Sequence, residues 1–361
     1  MSGVLSRRGL GRADRLLLAA AVVAALLAGI LSYAHAGAVL VFVVSGVSLA
    51  LLAALVGQAT EQVGERLGPG ATGVLQAALG NLPELFVGIY ALRAGLVAVV
   101  QATLVGSILG NSLLVLGLAF FIGGRRHGTQ RFRAETPRMI ATLTLLSVAA
   151  LAVPTLAHGL RTAAGAHTDA LSVASAAVLL AIFLASIPVS LGGGAGVVPG
   201  PDTERGTPRW PLAIAVAILA IAAGGAAFVS GLFVDALTPT TVALHISPVF
   251  TGLVIVAIAG NAVENAVGIG FAARNKPDYA VSVILNSSLQ VAVGLTPALV
   301  LLSFVLGPTH LTLVLPGLLL AALGLAAGIG ALIVYDGEST WLEGLALIGL
   351  YGIIAAAFWW G

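Results

Sequence analysis

Apolar runs of about 20 residues recur from one end of the chain to the other, the length that crosses a bilayer as a helix. Backbone polar groups in hydrocarbon must be hydrogen-bonded within the protein, which favours helices for these runs. The chain is 59% hydrophobic and only 8% charged, so 361 residues carry too few charges to cover a water-soluble surface. The sequence therefore predicts an all-α membrane protein.

The apolar runs divide into eleven predicted transmembrane helices. The predicted spans are residues 15–33, 37–57, 72–92, 96–122, 137–157, 170–191, 210–234, 247–273, 277–306, 310–334 and 341–360. Eleven spans place every Lys and Arg except Arg93 and Arg161 on the side of the N-terminus. By the positive-inside rule, the N-terminus is expected in the cytoplasm and the C-terminus outside.

The pattern Gly-Asn-x-x-Glu occurs twice, at Gly80–Glu84 in the third span and at Gly260–Glu264 in the eighth. At the same offset of 180 residues, Ser107 matches Ser287. Spans that lie five apart cross the membrane in opposite directions, so the two copies form an inverted repeat. Such repeats are typical of secondary transporters, whose site lies near the middle of the bilayer.

The predicted organisation is one extra helix followed by two inverted five-helix repeats. Residues 1–36 hold the cytoplasmic N-terminus and the first helix, and residues 37–191 form the first repeat. Residues 192–209 are a Gly- and Pro-rich cytoplasmic linker, and residues 210–361 form the second repeat.

Glu84 and Glu264 are acidic residues that lie well inside predicted spans and match each other in the repeat. A charge at a helix centre costs about 2.5–3.5 kcal/mol on insertion scales, so two matched ones call for a function. Asn81 and Asn261 lie three residues earlier and share a helix face with them.

Two further features favour an ion site at these motifs. Gly80 and Gly260 allow another helix or an ion to approach the backbone. Pro83 frees the carbonyl of Leu79 from its helical hydrogen bond, which predicts a broken helix. Carbonyl groups of broken helices are common cation ligands in transporters.

Carboxylate, amide and carbonyl oxygens together suit a hard cation, Ca²⁺ before Mg²⁺. Without a metal, two nearby carboxylates in a low dielectric should not both stay ionised, so at least one should bind a proton. The same groups would then hold either Ca²⁺ or protons, which is the competition that an antiporter requires. The alternative is that each glutamate only joins neighbouring helices, which does not explain the duplication.

Polar residues of the fourth and ninth spans could complete this site. The set is Gln101, Ser107, Asn111, Ser287, Ser288 and Gln290. Serine and small residues also serve helix packing in membranes, so packing is the alternative role for these side chains.

These motifs resemble the cation/proton exchanger family of Ca²⁺/H⁺ antiporters, within the Ca²⁺/cation antiporter superfamily. The resemblance is most specific in residues 60–111 and 260–297. It implies that Glu84 and Glu264 bind Ca²⁺. A Gly-Ser motif of the family maps onto Gly106-Ser107, and a Ser-Ser-x-Gln motif maps onto Ser287, Ser288 and Gln290.

Two further places in the sequence bear on the resemblance: one agrees with the family and the other departs from it. Glu61 and Glu65 resemble its acidic approach helix, although the residues alone indicate a solvated interfacial face. Asn265 stands where the family commonly has His, which removes a titratable neighbour of the second glutamate.

The sequence thus predicts a secondary active antiporter, not an enzyme, that exchanges Ca²⁺ for H⁺ by alternating access. It needs no cofactor, because Ca²⁺ and H⁺ are transported ions. The nearest alternative is a Na⁺/Ca²⁺ exchanger, whose Gly-Thr-Ser-x-Pro-Glu motif supplies hydroxyl ligands where this chain has Gly-Asn. A Mn²⁺/H⁺ antiporter, a passive cation channel and an intramembrane enzyme are further alternatives, and no nucleophile motif accompanies the glutamates.

The expected surroundings follow from the same features. The partners are the lipid bilayer and the transported ions, with no nucleic acid, and a homo-oligomer is left open. The Ala-rich, Arg-rich and Lys-poor composition indicates a bacterial plasma membrane.

Overall fold

In the computed structural model, the residues described are 9–67, 75–76, 78–191, 208–306 and 309–360, and most of them are helical. The helices are α1 Arg12–Tyr33, α2 Ala38–Gly64, α3 Leu82–Arg93, α4 Val97–His127, α5 Glu135–Gly159, α6 Thr168–Leu191, α7 Leu212–Leu244, α8 Pro248–Gly260, α9 Ala262–Ala273, α10 Pro277–Leu306, α11 Gly317–Ile333 and α12 Trp341–Ala357. Two short strands, β1 Gln130–Arg131 and β2 Glu338–Ser339, pair antiparallel. Residues 192–207 of the predicted linker lie outside the described residues.

Seven of the described helices are long and apolar enough to cross a membrane, namely α1, α2, α4, α5, α6, α7 and α10. The α8–α9 pair passes the same test as one span with a bend of 65°. The protein is therefore an all-α membrane protein, as predicted. The count of eleven spans stays a prediction, because residues 68–74 and 77 in and before the third span lie outside the described part of the chain.

Local geometry recurs at the offset of the predicted repeat. α3 and α9 begin and end 180 residues apart, and α4 and α10 also begin 180 residues apart. The backbone before α3 has φ −90° and ψ 16° at Asn81, and the backbone before α9 has φ −93° and ψ 15° at Asn261. A π-helical turn interrupts both α4, at Gly110–Val115, and α10, at Val291–Leu295. An internal repeat would produce such matches.

Close helix crossings form the centre of the bundle. α2 and α7 pack along each other, α2 also contacts α8 and α9, and α7 contacts α3. α4 crosses α8 so closely that a methyl group on Gly106 would overlap the backbone of Leu253. A methyl group on Gly252 would likewise lie 2.6 Å from the carbonyl oxygen of Val99. Small residues allow such approaches between membrane helices.

A buried polar cluster joins α1, α2 and α7 at the predicted cytoplasmic side. The Asp14 carboxylate accepts hydrogen bonds from the amide of Gly11, at 2.9 Å, and from the indole of Trp210, at 3.0 Å. The side-chain oxygen of Gln62 accepts from the amides of Arg209, at 2.7 Å, and Trp210, at 3.0 Å. Because Trp210 directly follows the predicted linker, this cluster fixes the point where the chain enters the second half.

Two helices run seven residues or more beyond their predicted ends. α2 ends at Gly64 rather than residue 57, and α7 ends at Leu244 rather than residue 234. The apolar runs stop earlier because polar residues follow, but several of these polar residues are buried, among them Gln62 and Thr241. Thr60 and Thr240, which are 180 residues apart, are both fully buried.

The tenth predicted span begins later than expected. Residues 309–316, here called the outer segment, are not helical, and α11 begins only at Gly317. Pro316 restricts the preceding residue to extended backbone, which delays the start of the helix. Leu311, Leu313 and Leu315 are buried while the residues between them are partly exposed, the period-two pattern of an extended chain.

Candidate ion-binding site

Each Gly-Asn-x-x-Glu motif lies where a helix breaks. The amide of Leu85 donates to the carbonyl of Asn81 at 2.9 Å, and the amide of Asn265 donates to that of Asn261 at 3.0 Å. These bonds begin new helices, so backbone groups on either side of the break lack the usual helical partners. The motifs thus place free backbone dipoles inside the bundle.

Pro83 is not the cause that both breaks share. It is the second residue of α3, where a missing amide hydrogen is tolerated. The chain breaks in the same way at Asn261, although Val263 stands where the first motif has proline. The break predicted from Pro83 is present, but the sequence feature that both breaks share is the Gly-Asn pair.

Glu84 and Glu264 are each the third residue of a new helix, where the positive end of the helix dipole stabilises a negative charge. Glu84 is 5% exposed and Glu264 is half-buried. The two side chains are close enough for their charges to interact. Within the described ranges, neither carboxylate forms an ion pair with Lys or Arg.

The Glu84 side chain packs against the backbone of the opposite motif. A methyl group on Gly260 would lie 2.8 Å from Cγ of Glu84 and 3.1 Å from its Oε1. Glycine therefore lets the carboxylate of one half reach the helix break of the other. Oε2 of Glu84 is buried and has no hydrogen-bond partner among the residues described. Because an unpaired polar atom is costly to bury, this oxygen is well suited to bind a cation or a proton.

Asn261 is held by three hydrogen bonds. Its Nδ2 donates to Oγ of Ser107 at 3.0 Å and to the carbonyl of Ala257 at 2.9 Å. Its Oδ1 accepts from Oγ of Ser287 at 3.3 Å, and that hydroxyl in turn accepts from Nδ2 of Asn111 at 2.9 Å. The side chain of Asn261 thus connects α4 to α10.

Asn81 is bound more loosely than Asn261, the residue that matches it in the second motif. Its Nδ2 has a long contact of 3.5 Å to Oε1 of Gln290. The sequence predicts equivalent roles for Asn81 and Asn261, but the surrounding side chains differ. Asn111, which anchors the network of Asn261, corresponds to Val291 in the second repeat.

Ser288 pairs with a residue that the sequence did not single out. Its Oγ lies 3.1 Å from Oγ of Ser112, and both hydroxyls are buried. Thr103 was also missed; it lines the cleft beside Glu84, and its hydroxyl has no partner in the described part of the chain. Ser112 directly follows the predicted site residue Asn111 in the sequence, and this position could have indicated that Ser112 also belongs to the polar network.

Three predicted residues lie apart from this network. The amide nitrogen of Gln101 donates to the carbonyls of Thr312, at 2.8 Å, and Val314, at 3.1 Å. Glu61 and Glu65 lie at the end of α2, where Glu65 accepts a hydrogen bond from Gln62 at 3.1 Å.

The protein ligands available for an ion are two carboxylates and neutral oxygens. Among the described residues there is no group of three or more Asp, Glu, His or Cys side chains that could hold a metal. Any divalent cation at this site would therefore also need amide, hydroxyl, carbonyl or water oxygens, which Ca²⁺ accepts.

The difference between the two asparagines predicts unequal effects on stability. Asn261→Ala removes three hydrogen bonds inside the bundle and should lower the free energy of unfolding by about 1–3 kcal/mol. Asn81→Ala removes one long contact and should cost clearly less. Thermal unfolding of both variants in detergent measures this difference, and equal losses would contradict it.

The chain is similar to known proteins over most of its length. The family described as sodium/calcium exchanger protein matches residues 37–192 and 214–360. The chain is 37% identical over 344 residues to the Ca²⁺/H⁺ antiporter of Synechocystis sp., covering 89% of this chain and 91% of that protein. It is 33% identical over 333 residues to the Ca²⁺/H⁺ antiporter ChaA of Bacillus subtilis, covering 91% and 94%.

Solved structures show the same architecture. Native YfkE superposes with a TM-score of 0.80 at 30% identity, covering 95% of this chain and 99% of that one. The H⁺/Ca²⁺ exchanger CAX superposes with a TM-score of 0.75, covering 97% and 93%; at 18% identity this likeness shows the fold alone. The chain therefore belongs to the sodium/calcium exchanger protein family and, within it, to the cation/proton exchangers.

Proposed function

We propose that this protein is a secondary active antiporter that exchanges Ca²⁺ for H⁺. The observation that carries the proposal is the pair Glu84 and Glu264, two neighbouring carboxylates at matching helix breaks that lack a basic partner among the described residues. Relatives that share about a third of their residues with this chain are named Ca²⁺/H⁺ antiporters, which supports the same ion pair here.

In this proposal, Ca²⁺ binds between the two breaks. Glu84 and Glu264 supply charged ligands, and Asn81 with Gln290 supplies amide oxygens. The breaks at Gly80 and Gly260 supply backbone carbonyls, which Ca²⁺ also accepts. The other polar side chains that surround the ion are those of Asn261, Ser107, Ser287 and Ser288.

Protons replace Ca²⁺ on the same carboxylates. When Ca²⁺ leaves, two adjacent negative charges in a low dielectric repel each other, and protonation removes that repulsion. The site is therefore charge-balanced either by Ca²⁺ or by protons, and this competition couples the two fluxes. Glu61 and Glu65, at the predicted cytoplasmic end of α2, would attract cations toward the bundle.

Transport requires the site to open to each side in turn. The inverted repeat supports alternating access, because two halves of opposite orientation can exchange their conformations. α2 and α7 each contact the broken helix of the opposite half, so a shift of this pair would change access to both breaks. The charge distribution supports a cytoplasmic N-terminus and an external C-terminus. The Ala-rich, Arg-rich and Lys-poor composition supports a bacterial plasma membrane.

A Na⁺/Ca²⁺ exchanger is the second candidate, because the matching family is described as sodium/calcium exchanger protein. The motifs favour protons, since Asn81 and Asn261 replace the hydroxyl residues expected for Na⁺ sites. A Mn²⁺/H⁺ antiporter would use the same mechanism with another divalent ion.

The carboxylate pair is tested by removing one charge at a time. Glu84→Gln and Glu264→Gln should each reduce Ca²⁺ uptake by about a hundredfold, which corresponds to losing about 3 kcal/mol, the upper range for a contact with a charged group. Glu338→Gln makes the same change in an exposed ion pair with Arg131 and serves as the control. Uptake by proteoliposomes measures all three, and near-normal transport by either site variant would refute the assignment.

Competition predicts the direction of the pH dependence. Protons and Ca²⁺ bind the same carboxylates, so lowering the pH should raise the apparent dissociation constant for Ca²⁺, by about tenfold per pH unit for each proton displaced. Calcium titration of the purified protein in buffers of different protonation enthalpy measures both the affinity and the protons released. Binding that is independent of pH and releases no protons would contradict competition.

A further inference from the structure

The end of α9 that faces the predicted cytoplasmic side is bound by the connection between α4 and α5. Nε2 of Gln130 donates to the carbonyl of Ala272 at 3.1 Å and to Oδ1 of Asn275 at 2.9 Å. Nε2 of His127, the last residue of α4, lies 3.1 Å from the carbonyl oxygen of Ala273. The last carbonyls of a helix have no partner within it, so the connection supplies hydrogen-bond donors that α9 lacks.

Gln130 has a fixed place in the fold. Its side chain is buried, and it belongs to β1, which pairs with β2. A methyl group on Gly123 of α4 would overlap Oε1 of Gln130, so glycine provides the room in which the amide lies. Further along the connection, the amide of Arg133 donates to the carboxylate of Asp278 in the first turn of α10, at 2.7 Å. The connection thus binds both sides of the turn between α9 and α10.

These contacts mean that α9 is held at both of its ends. At its start, Asn261 is bound to Ser107 of α4 and Ser287 of α10. Glu264 is eight residues before Ala272, and so about 12 Å along the helix axis from the end that Gln130 binds. No proline or π-helical turn interrupts α9 between these two residues, so holding the end of the helix also holds Glu264.

The matching helix α3 is not bound in this way within the described ranges. At the offset of 180 residues, Gln130 corresponds to His310 of the outer segment. Nδ1 of His310 lies 3.1 Å from Oδ2 of Asp169, and its ring stacks on Phe304 with 4.1 Å between the ring centroids. No hydrogen bond among the described residues joins the outer segment to the end of α3 at Arg93.

The outer segment is bound to other helices instead. Its backbone amides donate at 2.9 Å to hydroxyl groups of α5, α6 and α10, in the pairs Leu315 with Thr155, Leu313 with Ser172, and Leu311 with Ser303. The repeat therefore does not require a side chain at this position to bind the broken helix. The contacts of Gln130 with α9 are a feature of one half alone.

We propose that Gln130 is a positioning residue that holds α9 so that Glu264 stays beside Glu84, ready to bind Ca²⁺. The inference rests on the proposed exchange function, in which both carboxylates bind the ion. Without these contacts, α9 would spend part of its time in other positions. The apparent dissociation constant for Ca²⁺ then rises in proportion as the fraction of correctly placed helices falls.

Calcium titration of purified variants tests this role. Gln130→Met keeps the approximate size of the side chain and removes both hydrogen bonds, so it should raise the dissociation constant about tenfold. Asn275→Gly removes one of the two bonds, and glycine accepts the φ of 58° at this position, so this variant should raise it about threefold. Arg131→Gln is the control, because it removes a hydrogen bond from the next residue to Glu338 of β2 and none to α9. It should leave the dissociation constant unchanged.

A reversible cross-link separates positioning from general damage to the fold. The chain has no cysteine, so His127→Cys and Ala273→Cys introduce the only two thiols into the Gln130→Met variant. A short bifunctional thiol reagent that bridges them should return the dissociation constant to within about twofold of the parent, because the bridge again ties α9 to α4. A monofunctional reagent that caps both thiols should not restore it.

Hydrogen exchange in Ca²⁺-free buffer examines the contact without relying on ion binding. Gln130→Met should speed exchange of the α9 amides about tenfold and leave those of α3 unchanged, since local opening becomes easier where an anchoring contact is lost. A parent protein that binds no Ca²⁺ would contradict the exchange function. Hydrogen exchange would still decide whether Gln130 holds α9.

Three results would overturn the proposal. They are an unchanged dissociation constant in Gln130→Met, an equal rise in Arg131→Gln, and a completed bridge that does not restore the affinity. If Gln130→Met fails to fold, Asn275→Gly decides the question, because an unchanged dissociation constant in that variant contradicts the proposed role.

Discussion

The arrangement of the candidate site depends on the contact between Glu84 and Gly260. A carboxylate is buried inside a largely apolar protein, with one oxygen that has no partner among the described residues, against the backbone of a second helix break. Burying such a group is costly unless it is neutralised. The surrounding structure lowers that cost in part: the first turn of α3 points its positive dipole at the carboxylate, and glycine admits it without a clash. In the proposed exchange, a bound cation or proton would supply the remainder.

The two helix breaks share backbone geometry but differ in side-chain chemistry. Asn81 and Asn261 have nearly equal φ and ψ angles, yet Asn261 is bound to Ser107 and Ser287 whereas Asn81 has one long contact. Side chains can diverge at fixed backbone because each break lies against a different neighbour. The second break is thus joined firmly to α4 and α10, while the amide of the first has a long contact to Gln290.

Much of this could be predicted from the sequence, because rare polar residues in apolar runs are strong signals. The paired motifs located the helix breaks, and hydrogen bonds link Asn111, Ser287 and Gln290 to the asparagines at these breaks. Pro83 has no counterpart at the second break, so the sequence feature that both breaks share is the Gly-Asn pair. The outer segment was missed because Leu311, Leu313 and Leu315 read as part of an apolar span. Their backbone partners are distant in sequence, so only the folded chain brings them together.

The most direct test of the account is Ca²⁺ uptake by proteoliposomes that contain the purified protein. With an acidic lumen, a neutral exterior and no Na⁺, Ca²⁺ should accumulate inside against its own gradient while the lumen becomes less acidic. Collapsing the pH gradient should stop uptake, and an imposed Na⁺ gradient at equal pH should not restore it. Uptake that depends on Na⁺ and ignores pH would contradict the account and identify a Na⁺/Ca²⁺ exchanger.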